Sequence, residues 1–238
     1  VRDTDFIISV IGEDRETTII DGSGLENYPL GVVNFLSGED STAVLSGFTV
    51  TNGYHGIVCG PIETGNMFFF NSSPTITNVI INGNSSMDGG GIRLDYSHPT
   101  LINVVISENS STGDGGGIDC YGSNPSLKQV IITDNLAGTY GDGINCNFSN
   151  PTLMNCILWD NSSEEIYTSS STPSVSYSLV EGGWEGTGNI DSDPLFVAAA
   201  DGDYRLSDYS PAIGTGTTSG APTTDIDGNL RPNPAGSN

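Results

Sequence analysis

Pro74, Pro99, Pro125 and Pro151 stand 25, 26 and 26 residues apart, and Asn84, Asn109, Asn135 and Asn161 repeat the same spacings. Around these markers the segments SSPTITNVIINGNSSMDGGGIRL from Ser72, SHPTLINVVISENSSTGDGGGIDC from Ser97 and SNPSLKQVIITDNLAGTYGDGINC from Ser123 align, and SNPTLMNCILWDN from Ser149 opens a fourth copy. A period this regular, in a chain rich in β-branched residues and glycine, means a solenoid, because each unit buries its apolar face only by stacking on the next. A unit of about 26 residues is too short for a helix pair or a propeller blade, and the leucine-rich spacing is absent. What remains is a parallel β-helix.

The columns of the repeat give its local structure. Ile76, Leu101, Leu127 and Leu153 form one apolar column, Val79, Val104, Val130 and Cys156 a second, and Ile81, Ile106, Ile132 and Leu158 a third. The second and third are two residues apart, as one face of a strand requires, but the first and second are three apart, so a bend intervenes. It falls at Asn78, Asn103, Gln129 and Asn155, where asparagine takes turn conformations that β-branched residues resist. Ile92, Ile118 and Ile144, followed by Leu94, Cys120 and Cys146, make a further inward strand, with Cys59 in the same column. Stacking at about 4.8 Å per coil brings the amides of Asn84, Asn109, Asn135 and Asn161 into a structural ladder. Upstream, TTIIDG (17–22) and VLSGFTVTNG (44–53) read as earlier, less regular coils, and STPSVSYSLVEGG (171–183) as a worn last one. The expected fold is therefore all-β, a parallel β-helix solenoid of about eight to nine coils over residues 1–183. A loop-rich C-terminal tail, residues 184–238, packs on it within the same structural domain.

Charge excludes whole classes of function. The 238 residues carry 6 Lys and Arg against 29 Asp and Glu, a net charge of -23. Six scattered cations cannot build a phosphate-binding footprint, which excludes nucleic acid as a partner. The same field opposes an anionic membrane face, and no stretch approaches the ~20 apolar residues of a spanning helix, so no membrane insertion is expected. The chain opens at Val1 with neither Met nor a basic-plus-apolar leader, which reads as a processed product or an excised piece.

The run NSS…DGGGI after an apolar strand resembles the repeat of polymorphic outer membrane proteins and of pectate-lyase-like right-handed parallel β-helices. The segment NIDSDPLFVAAADGDYRLSDYSPAIGTG…TDIDGNLRPNP (189–234) resembles the C-terminal module of choice-of-anchor surface proteins. Together these resemblances cover nearly the whole chain. They imply a right-handed solenoid and a secreted, surface-held protein, usually without an assigned activity. Two departures stand out: the amphipathic cap that usually begins such a solenoid is missing before Val1, and the final strand of the tail motif is missing after Asn238. Both ends read as cut, which exposes strand edges.

Catalytic chemistry is hard to place. Lyases on this fold need a Lys or Arg base with calcium or further cations beside a uronate. The cations here are Arg2, Arg15, Arg93, Lys128, Arg205 and Arg231. Arg93 reads as a cross-coil ion pair with Asp119, and Lys128 shares an outward column with Thr77, Ile102 and Met154. Glycoside hydrolases need carboxylates gathered ~5 to 9.5 Å apart. Asp95 and Asp119 sit on neighbouring coils one position out of column, while the paired and triple Asp signatures of the polygalacturonase family do not occur. His55 and His98 read as exposed loop histidines. Asp88, Asp114 and Asp142 precede Gly91, Gly117 and Gly143, and stacked carboxylates beside carbonyl oxygens suit a hard cation, so these three are candidate calcium ligands. The alternative is that they simply make Asp-Gly turns. Cys120 and Cys146 on adjacent coils are either a disulfide or part of a buried thiol column. Sequons occur at Asn71, Asn84, Asn109, Asn147 and Asn161, three of them on the ladder. The run Met67 to Phe70 is a sugar-stacking platform, a subunit contact or core.

The expected function is a non-catalytic extracellular structural or adhesive surface protein, with itself as partner through end-to-end assembly into filaments. The alternative is a calcium-dependent protein that binds or degrades polysaccharide. A passive stalk displaying another domain is a third.

Overall fold

The computed structural model describes residues 9–24, 30–60 and 71–231. Two long parallel sheets carry the solenoid. The first, of eleven strands, stacks Ser9–Ile11, Val44–Ser46, Thr75–Asn82, Thr100–Ser107, Ser126–Thr133, Thr152–Met154 and Ser174–Ser176 in that order, with Ile19–Asp21, Thr49–Thr51, Ile157–Trp159 and Leu179–Val180 continuing the coils beyond the bend. The second stacks Val33–Phe35, Ile57–Cys59, Ile92–Asp95, Ile118–Tyr121, Ile144–Asn147 and Ile166–Ser169.

The bend inside each coil is a single left-handed residue. Asn78, Asn103, Gln129 and Asn155 have φ of 52°, 53°, 53° and 55°, with Gly47 at 78° and Tyr177 at 51° in the same column. One such residue turns the strand so that inward positions fall on both sides of it, and asparagine takes this conformation at least cost. Leu101 pairs in register with Ile76 and Leu127, Val104 with Val79 and Val130, and Ile106 with Ile81 and Ile132. All of these are buried. Each fully buried Leu or Ile contributes about 1.5–3 kcal/mol, so the core is a continuous rod in which every coil depends on its two neighbours.

The solenoid has about six turns, not eight to nine. Dividing the chain by the 26-residue period overcounts, because the two upstream coils take 35 and 31 residues from Ser9 to Val44 and from Val44 to Thr75. Past Val180 the chain adds only an isolated bridge from Leu179 to Ile190, beside Trp184, which packs against the core.

Beyond that point Phe196–Ala198 pairs antiparallel with Asp203–Leu206 around the short 3-10 turn Ala199–Asp201. The Tyr204 hydroxyl donates to Asp134 at 3.2 Å. Residues 217–227 then touch the left-handed column at Asn155 and Asn103 and reach Arg15. No helix among the described residues is long and apolar enough to cross a membrane.

Two ladders run along the solenoid. The amides of Asn84, Asn109 and Asn135 each donate to the Oδ1 of the next asparagine at 3.0, 3.1 and 2.9 Å, and the backbone N–H groups donate to the same oxygens. The ladder has a direction. At its start the Gly53 N–H donates to Asn84 Oδ1 (2.9 Å), and at its end Asn161 donates to both oxygens of Glu165, from Nδ2 at 2.5 Å and from its backbone N–H at 3.1 Å. A second ladder runs from Ser72 through Ser97, Ser123 and Ser149 to Ser171, each backbone N–H donating to the next hydroxyl.

Candidate functional site

The outward face of the second sheet brings together a buried acid, Asp119, and a set of ring contacts among Tyr96, Tyr121, Phe148, Tyr140 and Tyr167. Its first outward column is Arg93, Asp119, Asn145 and Tyr167, and its second Asp95, Tyr121, Asn147 and Ser169. A glycine at positive φ precedes each of the first three by four residues. Gly89, Gly115 and Gly141, at 65°, 63° and 66°, lie against Arg93, Asp119 and Asn145. A Cβ on Gly115 would stand 2.6 Å from the Asp119 Cβ, so glycine is what lets the turn close over this column.

That closure sets the electrostatics. Asp119 is 8% exposed, and burial pushes its carboxyl up to about 7, against a 2.7 Å hydrogen bond from Asn145 Nδ2 and with Asp88 and Asp95 adding to the rise. Arg93 pairs with Asp95 of its own strand at 2.8 Å, rather than with Asp119 across the coil. The expected cross-coil pair fails because Asp95 lies two positions along on the same face, while Asp119 bonds onward to Asn145. The register also puts Asp119 opposite Arg93 and Asp95 opposite Tyr121, two positions out of column rather than one.

His55 is not an exposed loop residue. It is fully buried on the preceding coil, with its Nδ1 3.0 Å from the Gly89 carbonyl, its ring edge-on to Tyr54 at 4.8 Å, and no partner for Nε2. Burial lowers its pKa to about 4, which keeps it neutral. The irregular upstream coils hid its place in the repeat. His98 is exposed, and its Nδ1 accepts from the Asn124 N–H at 2.9 Å.

Aromatic rings line both margins of this face. Tyr96, Tyr121 and Phe148 form an edge-to-face series at 5.3 and 6.3 Å where the strands end. Tyr140 stacks on Tyr167 at 4.3 Å where they begin. Tyr96 and Phe148 share a left-handed column with Gly122, over which the Tyr96 ring lies. Beside it a pocket of about 260 Å³ is lined by Asn71, Tyr96, His98 and Gly122. The edge-to-face series escaped sequence reasoning because its members alternate between two columns, with glycine at the middle coil.

The three candidate calcium ligands do not converge. Asp88 and Asp114 are stacked, but Tyr140 continues their column and Asp142 belongs with Gly90 and Gly116. Asp88 Oδ1 accepts from the Asp114 N–H at 3.0 Å, and Asp114 accepts from the Thr139 hydroxyl. Asp142 accepts from Ala137 N–H at 2.7 Å, from Ser163 N–H at 3.1 Å and its hydroxyl at 2.7 Å, and from Glu164 N–H at 3.1 Å. Its two oxygens therefore satisfy loop donors of its own and the next coil. No group of three His, Cys, Asp or Glu side chains able to hold a metal occurs among the described residues.

Cys120 and Cys146 are in-register neighbours, and these two, Cys59 and Cys156 are all free thiols. Of the two readings, a disulfide or a buried thiol column, the spacing favours the column, because side chains on adjacent parallel strands point the same way about 4.8 Å apart, wider than the usual Cβ separation of a disulfide. Burial pushes the Cys146 thiol up to about 12, which leaves it inert. Of the sequons, Asn84, Asn109 and Asn161 are buried, Asn71 is exposed and Asn147 half-buried. The run Met67 to Phe70 lies outside the described residues.

Residues 67–188, just over half of the chain, match a family model described as a right handed beta helix region. No curated protein and no solved structure matches.

Proposed function

The chain belongs to the right-handed β-helix family, and from that premise we propose that it is a non-catalytic extracellular surface protein that adheres to polysaccharide across the outward face of its second sheet. The observation that carries this reading is the pair of aromatic margins, Tyr96–Tyr121–Phe148 and Tyr140–Tyr167, with Asp95 and the half-buried Asn147 between them. Sugar rings offer apolar faces and hydroxyl edges, and aromatic rings beside amides and carboxylates satisfy both. A net charge of -23 selects a neutral polymer over a polyanion. Hydrolysis would need two open carboxylates across the bond, whereas the acid of this face whose pKa is raised, Asp119, is sealed beneath the turn at Gly115. Calcium dependence has less support, since the oxygens of Asp142 are engaged by backbone and hydroxyl donors. End-to-end assembly has less support at the C-terminal edge, where Thr187 and Ile190 accept from the N–H groups of Tyr177 and Val180.

Affinity electrophoresis of the full chain in gels cast with neutral polysaccharides, with and without chelator, tests the reading. Retardation is expected in at least one polymer, insensitive to chelator and weakened about three- to tenfold by Phe148→Ala or Tyr96→Ala. Retardation in none, or retardation that both variants retain in full, refutes adhesion at this face. Release of oligosaccharides refutes the non-catalytic part.

A further inference from the structure

The C-terminal segment touches the solenoid through its main chain. Asn155 Nδ2 donates to the Thr217 carbonyl at 2.8 Å, and the Thr217 N–H donates back to Asn155 Oδ1 at 2.8 Å, the reciprocal pair that one peptide unit makes with another in a sheet. Two coils away Asn103 Nδ2 donates to the Thr224 carbonyl at 3.1 Å. Arg15 closes the series, donating to the Ile226 carbonyl at 2.7 Å and pairing with Asp227. The partners at Asn155 and Asn103 are side-chain amides of the left-handed column, which that backbone conformation turns outward. The column also has bonding capacity to spare, because the Asn103 Oδ1 and Gln129 Oε1 are buried without a donor, and Asn103 is only 4% exposed. Apolar anchoring of the segment is confined to Ala221, Pro222 and Ile226, which are half-buried, while Ile213 and Leu230 on either side of it are exposed.

We propose that the amide column is a docking groove for an extended peptide backbone, filled here by the chain's own residues 217–227, and that the same segment of a second copy enters it by exchange. A second copy is the fitting occupant because its tail offers the identical Thr217 N–H and carbonyl, the Thr224 carbonyl and Asp227 at identical spacing. Exchange then replaces every contact with its equivalent, and the connection from Ser207 to Gly216, which lies beyond the hairpin and carries no strand pairing, supplies the hinge. Because exchange adds no new contact, the effective concentration of the tethered tail at its own groove sets the protomer concentration above which exchanged dimers are populated.

Two full-length variants test this by complementation. In the first, Asn103→Gly with Asn155→Gly removes the amides while glycine keeps the left-handed backbone without strain. In the second, Thr217→Pro removes the N–H that Asn155 accepts. Each alone is expected to be monomeric with a protease-sensitive tail. An equimolar mixture is expected to sediment as a 1:1 dimer in which the first variant's tail is cut at least about tenfold more slowly than in that variant alone. A mixture that stays at the monomer mass, with tails cut at the single-variant rates, overturns the proposal. Should the double variant lose its far-ultraviolet β signature, the Thr217→Pro chain is titrated with a labelled synthetic peptide of residues 213–231. Saturable binding upholds the groove, and no binding overturns it.

Discussion

Replacing Asn135 with alanine tests how much of this molecule rests on its inner ladder. Asn135 Nδ2 donates to Asn161 Oδ1, to the Ile106 carbonyl at 3.0 Å and to the Thr133 carbonyl at 2.9 Å, while its Oδ1 accepts from both the backbone and the side chain of Asn109. Truncation strips all five bonds but does not leave five groups bare. Asn109 Nδ2 keeps the Ile81 carbonyl at 2.9 Å, and Asn161 Oδ1 keeps the Asn135 N–H at 3.1 Å. The group stranded outright is the Asn109 backbone N–H, for which desolvation costs about 1–3 kcal/mol, and the remaining bonds contribute about 0.5–1.5 kcal/mol each in net terms. Partial relaxation brings the expected loss to about 3–5 kcal/mol. Asn150→Ala is the control, since Asn150 makes comparable bonds to Thr172 at 2.7 and 2.9 Å on an exposed turn, and its loss is expected to cost less than about 1 kcal/mol. Urea unfolding followed by tryptophan fluorescence reads both, with stability taken from the midpoint where the slope is unchanged. An Asn135→Ala cost below about 1 kcal/mol, or no greater than that of Asn150→Ala, would refute the argument that buried, shared amides hold the coils in register.

Two further predictions concern the ladder's end and the glycine turns. Burial pushes the Glu165 carboxyl up to about 8, with Glu181 adding to the rise, against the hydrogen bonds from Asn161 that lower it. The folded chain therefore holds this proton where the unfolded chain, at the ordinary value of 4.5, has released it, so stability contributed by this site falls as pH rises from 4.5 to about 8 and levels off above. Glu165→Gln is expected to gain on wild type between pH 5 and pH 8 by an amount on the order of a few kcal/mol, and an equal difference at both pH values counts against it. Gly115→Ala places a Cβ 2.6 Å from the Asp119 Cβ at a φ of 63°, whereas Gly182, at 76°, has no atom within 4 Å. Alanine at 182 then costs about 1–2 kcal/mol for backbone strain alone, and alanine at 115 exceeds it by a further ~1–3 kcal/mol of overpacking; equal costs in thermal unfolding would show that the turn yields freely.

How far the fold was legible follows from what a period encodes. A repeat of about 26 residues states which residues stack on which, so the three apolar columns, the left-handed bend at Asn78, Asn103, Gln129 and Asn155, and the line of ladder asparagines all follow from alignment of the copies. The same alignment is silent where a partner lies off the column. Arg93 turns along its own strand to Asp95, and Glu165 reaches back four residues to end the ladder, because rotamer and loop path decide those contacts. An alignment shifted by two residues in one copy sets Asp142 beside Asp88 and Asp114, although Tyr140 is the true third member of that column. The serine ladder is written in the residue two before each proline, yet serine in a turn is so ordinary that its spacing carries no weight until the bonds are seen.

The asparagine ladder begins on a backbone donor at Gly53 and ends on the carboxyl group of Glu165, and every rung between these terminators is interchangeable. Duplicating one internal repeat in the gene would insert a new rung between two existing ones and leave both terminators in place, and deleting one would do the reverse. Each event changes the rod by about 4.8 Å. A lineage of such proteins is therefore free to vary its reach in whole increments while the machinery that closes the two ends of the ladder stays untouched.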